Sequence, residues 1–260
     1  MENRIINLDT IPNCRQLGKL ENIYGYKVRE NTLLRSAALQ KASQKDLDIL
    51  KNEYDLYEVI DLRTNREIAE MPDITGKKIL YRHSPIVDDF LDGVTHDKES
   101  ERQWYEDEPF DMGEFYKEMV MSQIYRENFS ITLKTIIHHD YGKGALLWHC
   151  SEGKDRCGLI SMFVEELLDI SRDDIYEDYL MTNIVNIPKG DMIYKQVKSH
   201  GASDEQADKI RDLFIARKEF LEAAYDIIDE IYGDMDNYLQ TWLRISTEEK
   251  DIIKHKLLYK

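Results

Sequence analysis

The sequence predicts an α/β fold, a central and mainly parallel sheet flanked by helices, with a helical C-terminal part. Short aliphatic runs alternate with helical patterns. The run ALLW is followed by a glycine-containing loop and then by the apolar helical run LISMFVEELLDI. From Gly201 onward the periodicity is helical only.

Four segments read as strands: Leu33 to Ser36, Leu56 to Leu62, Lys78 to Arg82 and Ala145 to His149. Between the first two, Ser43 to Asn52 carries Leu47 and Leu50 at helical spacing after a serine suited to cap a helix N-terminus. An insertion spanning about 87–140 is a candidate lid. Its first part, 87–110, is strongly acidic and interspersed with Phe90, Trp104, Tyr105 and Phe110, and Gly113 to His138 then shows longer periodic runs. In the C-terminal part Ile210, Leu213, Phe214, Phe220 and Leu221 form an apolar stripe expected in the core.

A chain of 260 residues without an internal repeat, low-complexity tract or Pro/Gly/Ser-rich linker is expected to form one domain over 1–260. With 35 basic and 51 acidic side chains the net charge is −16, which disfavours nucleic acid or stable association with an anionic membrane, so any anion must be captured locally. The N-terminus has neither a long apolar run nor a small-residue cleavage site, so the expected compartment is the cytoplasm. Cys14, Cys150 and Cys157 are an odd number at no zinc-ligand spacing, so free thiols are expected.

The chemistry concentrates in WHCSEGKDRCG, residues 148–158. In a strand, loop and helix element the loop N–H groups and the helix N-terminus converge on one point, a site for a phosphate dianion that also stabilises a thiolate. Cys150 opens the loop and Arg156 closes it, so both can face one bound anion. A cysteine there should ionise well below about 8.5, in the range of roughly 3.5–7.5, and can attack phosphorus. Arg156 offers a planar fork for two phosphate oxygens and for the charge that develops on them. Ser151, Glu152, Gly153, Lys154 and Asp155 complete the expected phosphate-binding loop, and phosphate or sulfate would fit it. His149 is expected to orient the loop backbone, and Asp155 can protonate the leaving oxygen.

These residues resemble the bacterial atypical tyrosine phosphatases, whose loop usually reads HC-x-x-GKDR-T-G. Further stretches, NCRQLG at 13–18, LLRSAAL at 33–39, DLRTNREIAEMPD at 61–73 and EDYLMTN at 177–183, are similar to other motifs of that family. The resemblance implies a cysteine-phosphatase fold, no metal or cofactor, and a phosphocysteine intermediate. It implies activity on phosphotyrosine, with phosphoserine and phosphoinositide as further substrate classes. It carries over Cys150, Lys154, Asp155 and Arg156 as site residues. Four positions depart from the pattern. Glu152 stands where small apolar residues are common, Gln16 and Lys19 replace Asp and Gly, and Cys157 replaces a Thr whose hydroxyl stabilises the departing thiolate.

The general acid has two candidates, Asp155 and an aspartate from a separate loop, Asp88 or Asp89. Asp155 also has a structural reading, in which its carboxylate accepts loop N–H groups or pairs with an arginine such as Arg63. Asp61, Arg63 and Glu67 read as a buried ion-pair group supporting the loop. Lys154 could contact a second phosphate or balance Glu152. His138 and His139 read as a solvated helix end and Cys14 as a small buried residue. The competing function is a catalytically weak phosphate-binding module, to which Glu152 and Cys157 point. A cysteine protease does not need the arginine-closed loop, and a sulfurtransferase loop closes one residue sooner.

Overall fold

The computed structural model describes residues 4–76, 78–88 and 111–260. The aromatics Phe90, Trp104, Tyr105 and Phe110, and Asp89, lie outside these residues.

A five-stranded sheet organises the chain: β1 (Arg15–Gln16), β3 (Leu33–Ser36), β6 (Ala145–His149), β4 (Leu56–Asp61) and β5 (Leu80–His83), in that spatial order. The last four are parallel and β1 is antiparallel at the edge. Every residue of β6 is buried, as expected for a central parallel strand covered on both faces. Its side chains alternate between two cores: Leu146 and Trp148 join one, Ala145 and Leu147 the other. Leu33 and Ile60 fall on the Trp148 side, and Leu34 and Val59 on the Leu147 side. Each fully buried leucine contributes roughly 1.5–3 kcal/mol, so a one-residue slip in register would cost several such contributions at once.

Helix α1 (Gln44–Glu53) covers the Leu147 side through Leu47 and Leu50, and Ser43 caps it by accepting from the Asp46 N–H. Helix α2 (Asn65–Glu70) opens with a reciprocal capping box between Thr64 and Glu67. Helices α3 (Met112–Met121) and α4 (Gln123–His138) break at Ser122 and bury Tyr116, Met119, Phe129 and Leu133 in the larger core. The candidate lid is therefore corrected over 112–138, because these side chains belong to the body. His139 is also corrected: it is buried, paired with Glu58 at 3.1 Å and with the Gly144 carbonyl at 3.0 Å.

The larger face is completed by α5 (Asp155–Leu167), α6 (Arg172–Leu180), α7 (Asn183–Ser199), α8 (Asp204–Asp212), α9 (Lys218–Tyr232), the short α10 (Met235–Asn237) and α11 (Thr247–Leu257). The five residues of the C-terminal apolar stripe are all buried. They divide between α8, the turn after it and α9. After α11, β7 (Leu258–Tyr259) pairs with β2 (Lys27–Val28) and ties the end of the chain to its beginning. No helix among the described residues is long and apolar enough to cross a membrane.

Candidate active site

The loop 150–154 leaves the C-terminal end of β6 and enters α5 at Asp155. Parallel strands end here on one edge of the sheet, where open α/β folds place their ligands. Gly153 turns the chain back with φ of +67°, and a Cβ there would sit 2.5 Å from the Ser36 carbonyl oxygen, so the turn admits no side chain.

Cys150 is 2% exposed. Burial by itself would raise its pKa, but hydrogen bonds from the Cys157 thiol and N–H and the charge of Arg156 lower it to about 6. The sulfur is therefore mostly thiolate at neutral pH. Cys157 is pushed the opposite way, first by burial and then by the thiolate beside it, so it remains a protonated donor. Its thiol takes the place that the resemblance gives to a hydroxyl.

Arg156 is held from below. Its Nη1 and Nη2 donate to Glu67 Oε2 and Oε1 at 2.5 and 2.8 Å, a two-pronged pair that fixes the guanidinium plane. The Ser151 hydroxyl also donates to Glu67. Burial would raise the Glu67 pKa, but Arg156 and these donors lower it to about 2, so its charge persists at neutral pH. Glu67 is thus the anchor of the arginine, a role that its grouping with Asp61 and Arg63 in the sequence did not reveal. The capping box TNRE at 64–67 was the available signal, because it sets Glu67 on the first turn of α2.

Asp61 and Arg63 form a separate buried group. Arg63 pairs with Asp61 at 2.7 Å and Asp73 at 2.8 Å, and His149 Nε2 lies 2.7 Å from Asp73. His149 Nδ1 is 3.2 Å from the Cys150 carbonyl, so the group reaches the loop through the histidine. Burial opposes protonation of His149, yet the carboxylates of Asp61 and Asp73 raise its pKa. Ligand atoms of Asp61, Asp73 and His149 lie within 4.8 Å of one another, but Arg63 already supplies the cation between the two carboxylates.

The back of the loop is braced by the stretches at 13–18, 33–39 and 177–183. Asn13 Nδ2 donates to the carbonyls of Glu152 and Gly153, both at 3.0 Å, and Arg35 Nη2 donates to that of Gly153 at 2.9 Å. Asp178, fully buried, pairs with Arg4, Arg15 and Arg35 at 2.7, 3.2 and 2.9 Å. Three guanidinium groups on one carboxylate leave positive charge behind the loop, which favours an anion in front of it. Gln16 and Lys19 have local roles: Gln16 accepts the Asn31 N–H at 3.0 Å, and Lys19 pairs with Glu30 at 3.0 Å.

Two loop residues are placed differently from expectation. The Lys154 side chain is fully buried, and its ammonium donates to the carbonyls of Asp212, Leu213 and Ile215 at 2.9, 2.8 and 3.2 Å. All three donors are used on the chain end of α8, so the side chain neither balances Glu152 nor remains for a second phosphate. Glu152 is paired with Lys189 of α7 at 2.6 Å.

Asp155 opens α5 next to Arg156, and its Oδ1 accepts from the Tyr116 hydroxyl at 2.8 Å and lies 3.3 Å from the Lys154 ammonium. Tyr116 is in turn 2.6 Å from the Tyr179 hydroxyl. Arg63 is not its partner. Asp88, the other described candidate for the acid, is exposed on the segment after β5 and accepts from Tyr125 at 3.3 Å. Cys14 is buried, and burial outweighs the Arg15 charge beside it and pushes its thiol up to about 12, so it stays protonated at neutral pH.

A protein of Cupriavidus necator provisionally named a tyrosine-protein phosphatase is 28% identical over 243 residues, covering 93% of this chain and 85% of its own. The triple specificity protein phosphatase PtpB of Mycobacterium tuberculosis is 33% identical over 104 residues, covering 36% of this chain and 37% of its own. The catalytic core of Siw14 aligns over 90% of this chain and 98% of its own, at 14% identity and a TM-score of 0.37. The profile of a tyrosine phosphatase family matches residues 6–259, so the chain belongs to the tyrosine phosphatase family and is a phosphatase acting on phosphorylated substrates.

Proposed function

We propose that the chain hydrolyses phosphotyrosine through a phosphocysteine intermediate on Cys150, with phosphoserine and phosphoinositide as further substrate classes. The observation that carries this reading is the buried Cys150 at the start of a loop that leads into α5, where the Cys157 donors and the charge of an Arg156 anchored on Glu67 lower its pKa to about 6. In the first step the sulfur attacks phosphorus, the P–O bond to the substrate breaks, and Asp155 gives its proton to the departing oxygen. In the second step the Asp155 carboxylate takes a proton from water as the water oxygen attacks phosphorus. Phosphate leaves and the thiolate is restored. Arg156 and the loop N–H groups hold the charge that develops on the phosphoryl oxygens in both steps.

Tyr116 supports the choice of Asp155. One carboxyl oxygen is held by the tyrosine, which leaves the other to carry the proton to the leaving group. The features that pointed to a weak binding module have local explanations: Glu152 is paired with Lys189, and Cys157, beside the nucleophile, still helps to lower its pKa.

Cys150→Ser should abolish turnover of para-nitrophenyl phosphate while retaining vanadate binding, measured by steady-state assay and calorimetry. Residual rates above a few per cent would sink the mechanism. Asp155→Asn should slow substrates with poor leaving groups by about a hundredfold or more, and para-nitrophenyl phosphate far less, because its leaving group needs little protonation. Equal slowing of both would move the acid to Asp88 or Asp89. Alkylation of Cys150 by iodoacetamide should rise with pH through a midpoint near 6, since only the thiolate reacts. Cys157→Ala removes a donor to the thiolate and should move that midpoint up, whereas Cys157→Thr should keep it low; a midpoint unchanged in the alanine variant would remove Cys157 from the account.

A further inference from the structure

Beside the loop lies a cavity of about 230 Å³ whose walls come from Thr10 and Pro12, the segment after β3, the loop at Ser151 and Glu152, and α7 at Asn186 and Lys189. It sits on the same edge of the sheet as the loop. Its size is below the roughly 300–1,000 Å³ of pockets that enclose whole small-molecule ligands, and it suits a single side chain.

Its charge is unusual for this chain. Against an overall −16, the wall carries the ammonium groups of Lys41 and Lys189 and one carboxylate, Glu152. Lys41 is exposed and has no carboxylate partner among the described residues. Lys189 is fixed by its pair with Glu152 at 2.6 Å and by the Phe214 ring, whose centroid is 5.1 Å from its ammonium. The wall therefore holds one uncompensated positive charge beside the place where the phosphate group enters.

We propose that this cavity is a specificity subsite for an acidic side chain next to the phosphotyrosine of a peptide substrate. It rests on the phosphatase reading above, and Lys41 and Lys189 are its recognition residues. Glu152 tempers it: the carboxylate competes with the incoming acid for Lys189, which keeps binding weak enough for release. The glutamate in the loop, the departure from the family pattern, is thereby given a function in substrate choice instead of phosphate capture.

The test compares kcat/KM for phosphotyrosine peptides that carry a single glutamate, or its glutamine isostere, at each position flanking the phosphotyrosine. At the position that reaches the cavity, glutamate should be preferred roughly twofold to fivefold, as expected for a partly exposed charge pair. The Lys41→Gln, Lys189→Gln double variant should bring the ratio near one, and Glu152→Gln should raise it above that of the parent. Matching melting temperatures of the variants and parent establish that fold is retained. The proposal is overturned by no glutamate preference at any position, by a preference that survives the double variant, or by a preference found only for soluble bis-phosphorylated small molecules. Failure of the parent enzyme to hydrolyse para-nitrophenyl phosphate would instead overturn the phosphatase reading itself.

Discussion

A negative charge on a sulfur atom withdrawn from water has to be compensated by the protein, and the architecture around residues 150–156 follows from that requirement. Burial of Cys150 alone favours the thiol. The Cys157 donors, Arg156 and the start of α5 reverse the balance, and they do so only while the loop keeps one shape. Gly153 permits that shape, Asn13 and Arg35 hold its carbonyls, and Glu67 fixes the guanidinium that closes it. A phosphoryl group arriving at the loop meets the donors already arranged for the sulfur, so the device that ionises the nucleophile is also the one that would bind the transition state.

The supports are themselves buried and charged, which is costly unless each is paired. Breaking a buried pair by removing one partner typically costs about 3–5 kcal/mol, because the other charge is left without compensation. Asp178 answers this with three arginines, and Arg63 with two aspartates. Glu165, buried nearby, is handled differently: burial, and then the Asp178 carboxylate, push its pKa well up, which favours its neutral form. Stability is thus tied to the same groups that shape the loop. Substitutions behind the loop should therefore disturb folding and chemistry together.

Much of this was legible in the sequence where the signal is local. The central strand announces itself because β6 is buried on both faces and so reads as an apolar run, ALLW, up to its last residue. The cysteine, arginine and glycine of the loop lie within seven positions, and their spacing alone carries the geometry. The two-residue strands β1, β2 and β7 were not legible, since so few residues show no periodicity. Glu67 stands 89 positions from Arg156 and Tyr116 39 positions from Asp155, and no spacing rule joins partners so far apart. Lys154 was misread because sequence places a residue in a loop without saying which way its side chain turns. Three free carbonyls at the end of α8 decided that.

The central claim is that phosphate passes through sulfur. Rapid acid quenching during turnover of an aryl phosphate, followed by peptide mapping by mass spectrometry, tests it most directly. The account predicts one phosphoryl group on the peptide containing Cys150, located on its sulfur, and more of it when Asp155→Asn slows the second step. A phosphoryl group found on Ser151 or any other residue, or no adduct during active turnover in either form, would contradict it.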